Sequence, residues 1–518
     1  MPRLRCLLTA PVLLLAGCSS RSVPVAATAP APAAIPSPVA APVPAAPVPA
    51  APPSPSAPFL LQPFVDSLVA LPQFANAHWG ILVVAPQRGD TLASVHADRL
   101  VMPASNQKLL TAAVALATLG PGYQWRTTFT RTGPIVRGEL RGDLVVTGTG
   151  DPSISTALRG AALGGFDPLV AALRTAGVRH ITGRVRPSPT QAFPGSPHGY
   201  GWDWDDLAED YGAGVTELLF NEGFTEVHVT GCARPGRAAC VVTAPARTTP
   251  VLRSTVTVRA AGSGAPHVEW WRDSAAVPGI ALRGSIAAGD SLAFTAAQPD
   301  DRVTYVAAVT EALTRAGITV RGRGAARRQD VGPDTVVVLR SLPLSAVLPA
   351  MQKLSQNQLA EVLYRTLGLE VTGSGTPDSA RRVVERQLDA WGVRPDGRVV
   401  RDGSGLSRHD YVTPRTILQV LDTMRRSSTF AVYRDALPVA GQDGTLRNRM
   451  RGVAQGRVQA KTGTIDKARA LSGYVTTADG ELLLISLIAN NFTVPNREID
   501  RIQDLLLERL VTLRRSAP

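Results

Sequence analysis

Apolar residues recur at helical spacing in "FLLQPFVDSLVALPQF", residues 59 to 74, and the run is followed by "WGILVVAPQRGDTLASVHADRL", which reads as two strands folded about Gly89-Asp90. "LLTAAVALATL", residues 109 to 119, continues as a helix. Near the other end, "GRVQAKTGT", "ARALSGYVTTADG" and "ELLLISLIANNF" read as three successive strands, with Asp479-Gly480 as the last tight turn. "PNREIDRIQDLLLERLVTLRR" then closes as an amphipathic helix after Pro495. Helix, hairpin, long middle, strand meander and helix predict an α+β fold with one antiparallel sheet built from both parts of the chain. Between them the texture changes to short β-rich runs such as "TEVHVTGC", "RSTVTVRAAG" and "DSLAFTAAQ", set off by Gly and Pro. The expected organisation is therefore a domain whose first part is 59–150 and second part 340–518, with inserted β-rich domains over 151–339.

Residues ahead of that domain carry an address. Arg3 and Arg5 precede an apolar run from Leu7 to Leu15, too short for a stable membrane span, and "LAGC" follows. This stretch resembles a bacterial lipobox, which implies a signal peptide over 1–17, cleavage before Cys18 and acylation there. Ser19 stands where an inner-membrane retention signal shows Asp, which favours the outer membrane over the inner and a lipid-anchored periplasmic protein. From Cys18 to Pro58 the chain is almost wholly Ala, Pro, Val and Ser, a semi-rigid spacer whose roughly 40 residues at about 3.1 Å each reach on the order of 100 Å.

Composition narrows the field. The 518 residues are 44% hydrophobic, enough for several cores, and the formal charge is +13 with a pI near 10.2. The arginines are scattered among acidic residues without a dense basic run, so a solvated basic surface is the reading and no nucleic-acid partner is expected. Cys232 and Cys240 lie in the polar loop "GCARPGRAAC" of an exported chain, the setting of a local disulfide. No His-rich ligand spacing accompanies them, so neither a metal nor another cofactor is expected.

The chemistry is announced by lysine, of which the chain has four among many arginines. Arginine stays protonated, whereas a desolvated lysine can lose its proton and act as a base. "SNQK" sets Ser105 and Lys108 one helical turn apart, "SQN" supplies Ser355 and Asn357, and "KTGT" supplies Lys461, Thr462, Gly463 and Thr464 on a candidate edge strand. Each motif alone is common; S-x-x-K, S-x-N and K-T-G in this order are specific. The chain resembles penicillin-binding proteins and, through "GWDWDDLAEDYGA", "SQNQLAEVLYRTLG", "RDGSGLSRHDYVTP" and "LPVAGQDGTLRNRM", the class C low-molecular-mass D-alanyl-D-alanine carboxypeptidase/endopeptidase family. The roughly 250 residues between Ser105 and Ser355 match that family's habit of carrying inserts there. The resemblance implies a transpeptidase/β-lactamase-like fold, peptidoglycan stem peptides as substrate and β-lactams as inhibitors. It departs from the family at Gln356, Gln358 and Leu359, which bears on substrate preference.

Roles follow from the chemistry. Lys108, its pKa lowered by burial and by Lys461, takes the proton of the nucleophile Ser105. Ser355 returns a proton to the departing D-Ala amine, and Asn357 holds a substrate amide and orients Lys108. Lys461, Thr462 and Thr464 bind the terminal carboxylate, with the N–H groups of Ser105 and Thr464 as oxyanion hole. Lys353 and Lys467 read as charges at the cleft rim, Asp402, Ser404 and Ser407 as a structured turn near the site, and His409 as structural. A serine β-lactamase on the same fold needs a Glu-x-x-x-Asn arrangement after the second motif; "ELLFN", Glu217 to Asn221, precedes it. The remaining alternative is a wall-binding lipoprotein that uses the fold without catalysis. Metallopeptidase, P-loop and G-x-S-x-G signatures are missing.

Overall fold

The structure is a computed structural model that describes residues 59–244, 251–273, 279–322 and 334–515. The expected signal segment over 1–17, the expected lipidation site Cys18 and the expected spacer up to Pro58 lie outside the described residues.

A five-stranded antiparallel sheet forms the centre. Helix α1 (Gln62–Val69) leads into β1 (His78–Ala85) and β2 (Asp90–Val95). After helix α2 (Gln107–Leu119) and the insert come α3 (Leu344–Lys353), α4 (Asn357–Thr372) and α5 (Pro414–Arg425), then β3 (Val458–Ile465), β4 (Ala468–Thr476), β5 (Leu482–Asn490) and α6 (Asn496–Val511). The sheet order is β3-β4-β5-β1-β2, so β1 joins the late meander through β5, from His78 opposite Asn490 to Val84 opposite Leu484.

Both faces are covered, which is why β5 reads as a near-continuous apolar run rather than an alternating one. Leu471, Val475, Leu483, Ile485 and Leu487 pack with α1 and α6, while Ala470, Tyr474, Leu484 and Ile488 pack with α2, α4 and α5. Period-two geometry sends neighbouring residues to opposite layers. α6 buries Ile499, Ile502, Leu506, Leu507 and Leu510, the apolar stripe of its pattern. α2 is buried from Gln107 to Leu116, and its alanines let the surrounding helices and sheet approach from every side.

The insert opens earlier than the sequence pattern suggests. Arg126–Arg131 pairs antiparallel with Asp334–Arg340, from Arg126 opposite Arg340 to Arg131 opposite Asp334, and Leu144–Gly148 extends the same sheet. These strands therefore belong to the insert, not to the central sheet, and the expected boundary at residue 150 falls inside it. Local periodicity marks a strand but not its partner. Nor is the insert purely β: helices Asp167–Thr175 and Asp301–Arg315 bury Leu169, Leu173, Tyr305, Val309 and Leu313 against these sheets. Asp300 caps the second helix by accepting from the N–H groups of Arg302 and Val303.

Nested further in are two three-stranded sheets. One has the order Cys240–Ala244, Phe224–Thr230, Ser291–Ala297; the other runs Val251–Arg259, Gly279–Ala287, His267–Asp273. They share a small core around Val227, Val229, Val256, Leu282 and Ile286. Cys232 and Cys240 are joined by a disulfide that closes the loop between the first two of these strands.

Candidate active site

Ser105 sits on a single 3-10 turn, Ala104–Asn106, that runs straight into α2. Ala104 has φ +47°, a left-handed conformation uncommon for a residue with a Cβ. Neighbours hold it there: Asn106 donates from Nδ2 to the Lys461 carbonyl at 2.8 Å, tying the turn to edge strand β3. On the other side, a Cβ at Gly405 would lie 1.8 Å from the Ala104 carbonyl oxygen, so only glycine admits that approach.

One turn into α2, Lys108 is fully buried. Its Nζ lies 2.8 Å from Ser105 Oγ, 2.6 Å from Asn357 Oδ1 and 2.8 Å from the Ser404 carbonyl oxygen. Two of these partners are acceptors, so in the neutral amine both N–H bonds are committed to them and the lone pair is left for the Ser105 hydroxyl. Burial drives the Lys108 pKa down to about 7, against the upward pull of the Asp402 and Glu361 carboxyls. The expected push from Lys461 acts in the other direction of the pair: Lys461 is held well below the usual lysine range by its own burial and then by the charge of Lys108.

The second motif lies between α3 and α4. Ser355 has φ +64°, and Lys461 donates to its Oγ at 2.8 Å and to the Thr462 carbonyl at 2.8 Å. Asn357, the first residue of α4, orients Lys108 through Oδ1 and spends one Nδ2 hydrogen on the Tyr211 carbonyl at 2.9 Å, leaving the other for a ligand. Lys461 is wholly buried beneath the cleft, behind Ser355, rather than projecting into it. Thr464 is exposed in the cleft wall and accepts from Arg469, whereas Thr462 is half-buried and shares a hydrogen bond with Thr445 Oγ1 at 2.7 Å. Gly463 is where the edge strand and the Ser105 turn nearly touch: a Cβ there would stand 2.7 Å from the Pro103 carbonyl oxygen and 3.1 Å from the Ser105 nitrogen.

The "RDGSGLS" turn proves to be a clamp. Asp402, fully buried, accepts at Oδ1 from the N–H groups of Ser404 (3.1 Å) and Gly405 (2.6 Å), and at Oδ2 from the N–H of Ser407 (2.7 Å) and from Trp202 Nε1 (2.9 Å). Glu361 on α4 accepts from the N–H groups of Gly403 (3.0 Å) and Ser404 (2.8 Å), and its pKa is raised by burial and by Asp402. The result aims the Ser404 carbonyl at Lys108. His409 packs its ring on Tyr200 at the rim, Lys353 pairs with Asp443, and Lys467 is exposed; none of the three lines the cleft. Glu217 and Asn221 lie in the insert, where Glu217 pairs with Arg302 at 2.9 Å and Asn221 accepts from the Thr156 N–H at 3.1 Å.

A cleft of about 700 Å³ opens over Ser105, Ser355, Asn357 and Thr464. Its far wall comes from the insert, through Asp203, Asp205, Asp206 and Tyr211, and Arg408 of the central domain faces them as a cation, 3.8 Å from Asp203. Motif reading missed Trp202, Tyr211 and Glu361 as positioning groups; the dense aromatic and acidic run "GWDWDDLAEDYGA" was the signal for the first two, and the acidic residue within "SQNQLAEVL" the signal for Glu361.

The profile of the D-Ala-D-Ala carboxypeptidase 3 (S13) family matches residues 61–510. A D-alanyl-D-alanine carboxypeptidase of Actinomadura sp. is 33% identical over 453 residues, covering 84% of this chain and 82% of that protein. The D-alanyl-D-alanine carboxypeptidase DacB of Haemophilus influenzae is 26% identical, covering 84% and 89%. Penicillin binding protein 4 from Haemophilus influenzae has a similar fold, with TM-score 0.73 at 23% identity over 87% of this chain and 99% of that one; it has also been solved complexed with a novel β-lactam. A match across the central sheet, the insert and all three motifs together leaves one conclusion: this chain belongs to the D-Ala-D-Ala carboxypeptidase 3 (S13) family.

Proposed function

We propose that the protein is a serine D-Ala-D-Ala carboxypeptidase, with DD-endopeptidase activity on cross-linked stem peptides, that works through an acyl-serine and is trapped by β-lactams. The observation that carries this is the Lys108 amine, 2.8 Å from Ser105 Oγ with its other hydrogen bonds on two acceptors. Neutral Lys108 takes the hydroxyl proton as Ser105 Oγ attacks the penultimate D-Ala carbonyl. The N–H groups of Ser105 and Thr464 hold the oxyanion, an assignment supported by the close approach of the strand at Gly463 to the Ser105 nitrogen. Ser355, backed by Lys461 at 2.8 Å, hands a proton to the departing amine and is itself reprotonated from the Lys108 ammonium, which returns both groups to their starting state. Water then hydrolyses the ester and restores the Ser105 hydroxyl. Thr464 and Thr462 are assigned to the terminal carboxylate, with the buried Lys461 amine holding Ser355 and the Thr462 carbonyl in place behind them. Both activities use these groups and differ in what occupies the leaving side.

Export to the periplasm on a lipid at Cys18 belongs to the same reading. It is supported by the "LAGC" stretch and by the Cys232–Cys240 disulfide, which suits an oxidising compartment. Fractionation of the full chain against Cys18→Ser tests it: release of the variant from membranes is expected, and equal retention would overturn it.

For the activity, intact mass is followed after penicillin addition, with Ser105→Ala as control, alongside D-Ala release from a soluble pentapeptide. A lasting adduct confined to wild type is expected. An adduct that disappears while penicillin is consumed would favour a β-lactamase, and no adduct would leave the non-catalytic scaffold.

A further inference from the structure

A second cleft, of about 650 Å³, lies on the insert across a ridge from the catalytic one. The ridge is the 3-10 turn Trp204–Ala208. It is pinned from behind, because Glu209 forms a β-bridge with Ala296 and Asp210 accepts from Thr295 Oγ1 at 2.6 Å. On it Trp204 is 84% exposed, an indole held in water on a braced turn. The opposite side is strand His267–Asp273, the edge of its sheet, which presents Trp271, 42% exposed. The strand's alternation makes this outward placement distinct from packing: Trp270 turns inward and stacks on Phe294 at 4.1 Å, while Trp271 turns outward. Arg283 lies over one face of Trp271 at 5.4 Å and itself pairs with Glu269 at 2.6 Å, which orients that ring.

Two exposed indoles, one on a tied-down turn and one under Arg283, bordered by Asp205, Glu209 and Glu269 on one hand and Arg272 and Arg283 on the other, suit a particular chemistry. A pyranose ring offers an apolar C–H face to an aromatic ring and a rim of hydroxyl and amide groups to carboxylates and guanidinium groups. Mixed charge favours a ligand rich in neutral hydrogen-bonding groups over a strongly anionic or cationic one. Asp205 lines both this cleft and the catalytic one. A ligand that crosses the ridge there has one end near Ser105.

We propose that the cleft between Trp204 and Trp271 binds the amino-sugar strand of the polymer whose stem peptide enters the catalytic cleft, so that the insert is a glycan-docking device. This rests on the activity proposed above, but its test does not use catalysis. Calorimetry with an N-acetylglucosamine tetramer and with peptide-free glycan strands compares wild type, Trp204→Ala and Trp271→Ala. Wild type is expected to bind both probes, and each substitution to weaken binding about tenfold, the scale of one lost stacking contact. Hydrolysis of a soluble pentapeptide stays at the wild-type rate in both variants, while release of D-Ala from the intact polymer falls. Both side chains are exposed, so unchanged melting curves are expected. Wild type that fails to bind the sugar probes, or variants that bind them equally well, would overturn the proposal. So would loss of affinity for a sugar-free stem peptide with glycan binding intact, which would make this a peptide cleft. If the sugars bind but the pentapeptide is not cleaved, the activity reading falls instead.

Discussion

Lowering the pH should switch off acylation by protonating Lys108, and the structure sets the size of the effect. A lysine with the ordinary pKa of 10.5 is neutral in roughly one molecule in 3,000 at pH 7, whereas with a pKa of about 7 it is neutral in about half. Burial therefore raises the reactive fraction by about three orders of magnitude, more than general base catalysis could otherwise reach at that pH. Below the midpoint the neutral fraction drops about tenfold for each pH unit, and the second-order rate of penicillin acylation should drop with it, levelling off above about pH 8. Stability follows the same group with the sign of a depressed folded pKa. Its contribution is full above 10.5, where both states are neutral, and is lost as the pH falls to about 7, because the unfolded chain takes up the proton first. Stopped-flow labelling with a fluorescent penicillin between about pH 5 and 9 reads the rate directly. An inflection near 7 that is absent in Lys108→Arg, whose acylation should be abolished, is the expected result. A flat profile, or a rise that begins only above about pH 9, would refute the assignment of Lys108 as the base.

Other perturbations separate positioning from packing. Gly463→Ala puts a methyl 2.7 Å from the Pro103 carbonyl oxygen and 3.1 Å from the Ser105 nitrogen, so acylation should fall about a hundredfold, measured by penicillin labelling; unaltered labelling would contradict the close approach. Trp202→Phe removes one of four donors on Asp402 and should lower kcat on a pentapeptide about tenfold with little change in KM, since the indole acts only through the Ser404 carbonyl. A change confined to KM would instead place Trp202 against the substrate. Opening the Cys232–Cys240 bridge with paired serines should destabilise the insert by about 2.6 kcal/mol from loop entropy, seen in thermal melting, and leave penicillin acylation untouched.

Much of this was legible along the chain. A helix within 59–74, shortened to Gln62–Val69, the strands about Gly89-Asp90, the three late strands and the closing helix after Pro495 all appear in the structure, because each carries its own period or turn signal. Ser105 and Lys108 were readable as a pair because one helical turn sets their spacing locally. What only tertiary structure decided is everything that depends on a partner far along the chain. Arg126–Arg131 reads as a strand in either assignment; pairing with Asp334–Arg340 is what moves it into the insert. Lys461 reads as a cation facing substrate, yet burial turns it toward Ser355. The pKa of Lys108 is likewise a property of its surroundings: Asn357 lies 249 residues away and the Ser404 carbonyl 296, and their convergence in a dry interior is what a linear pattern does not encode. The sequence supplies the candidate reacting groups, since residue type determines their chemistry; burial and the insert's wall over the cleft determine their charge and aim.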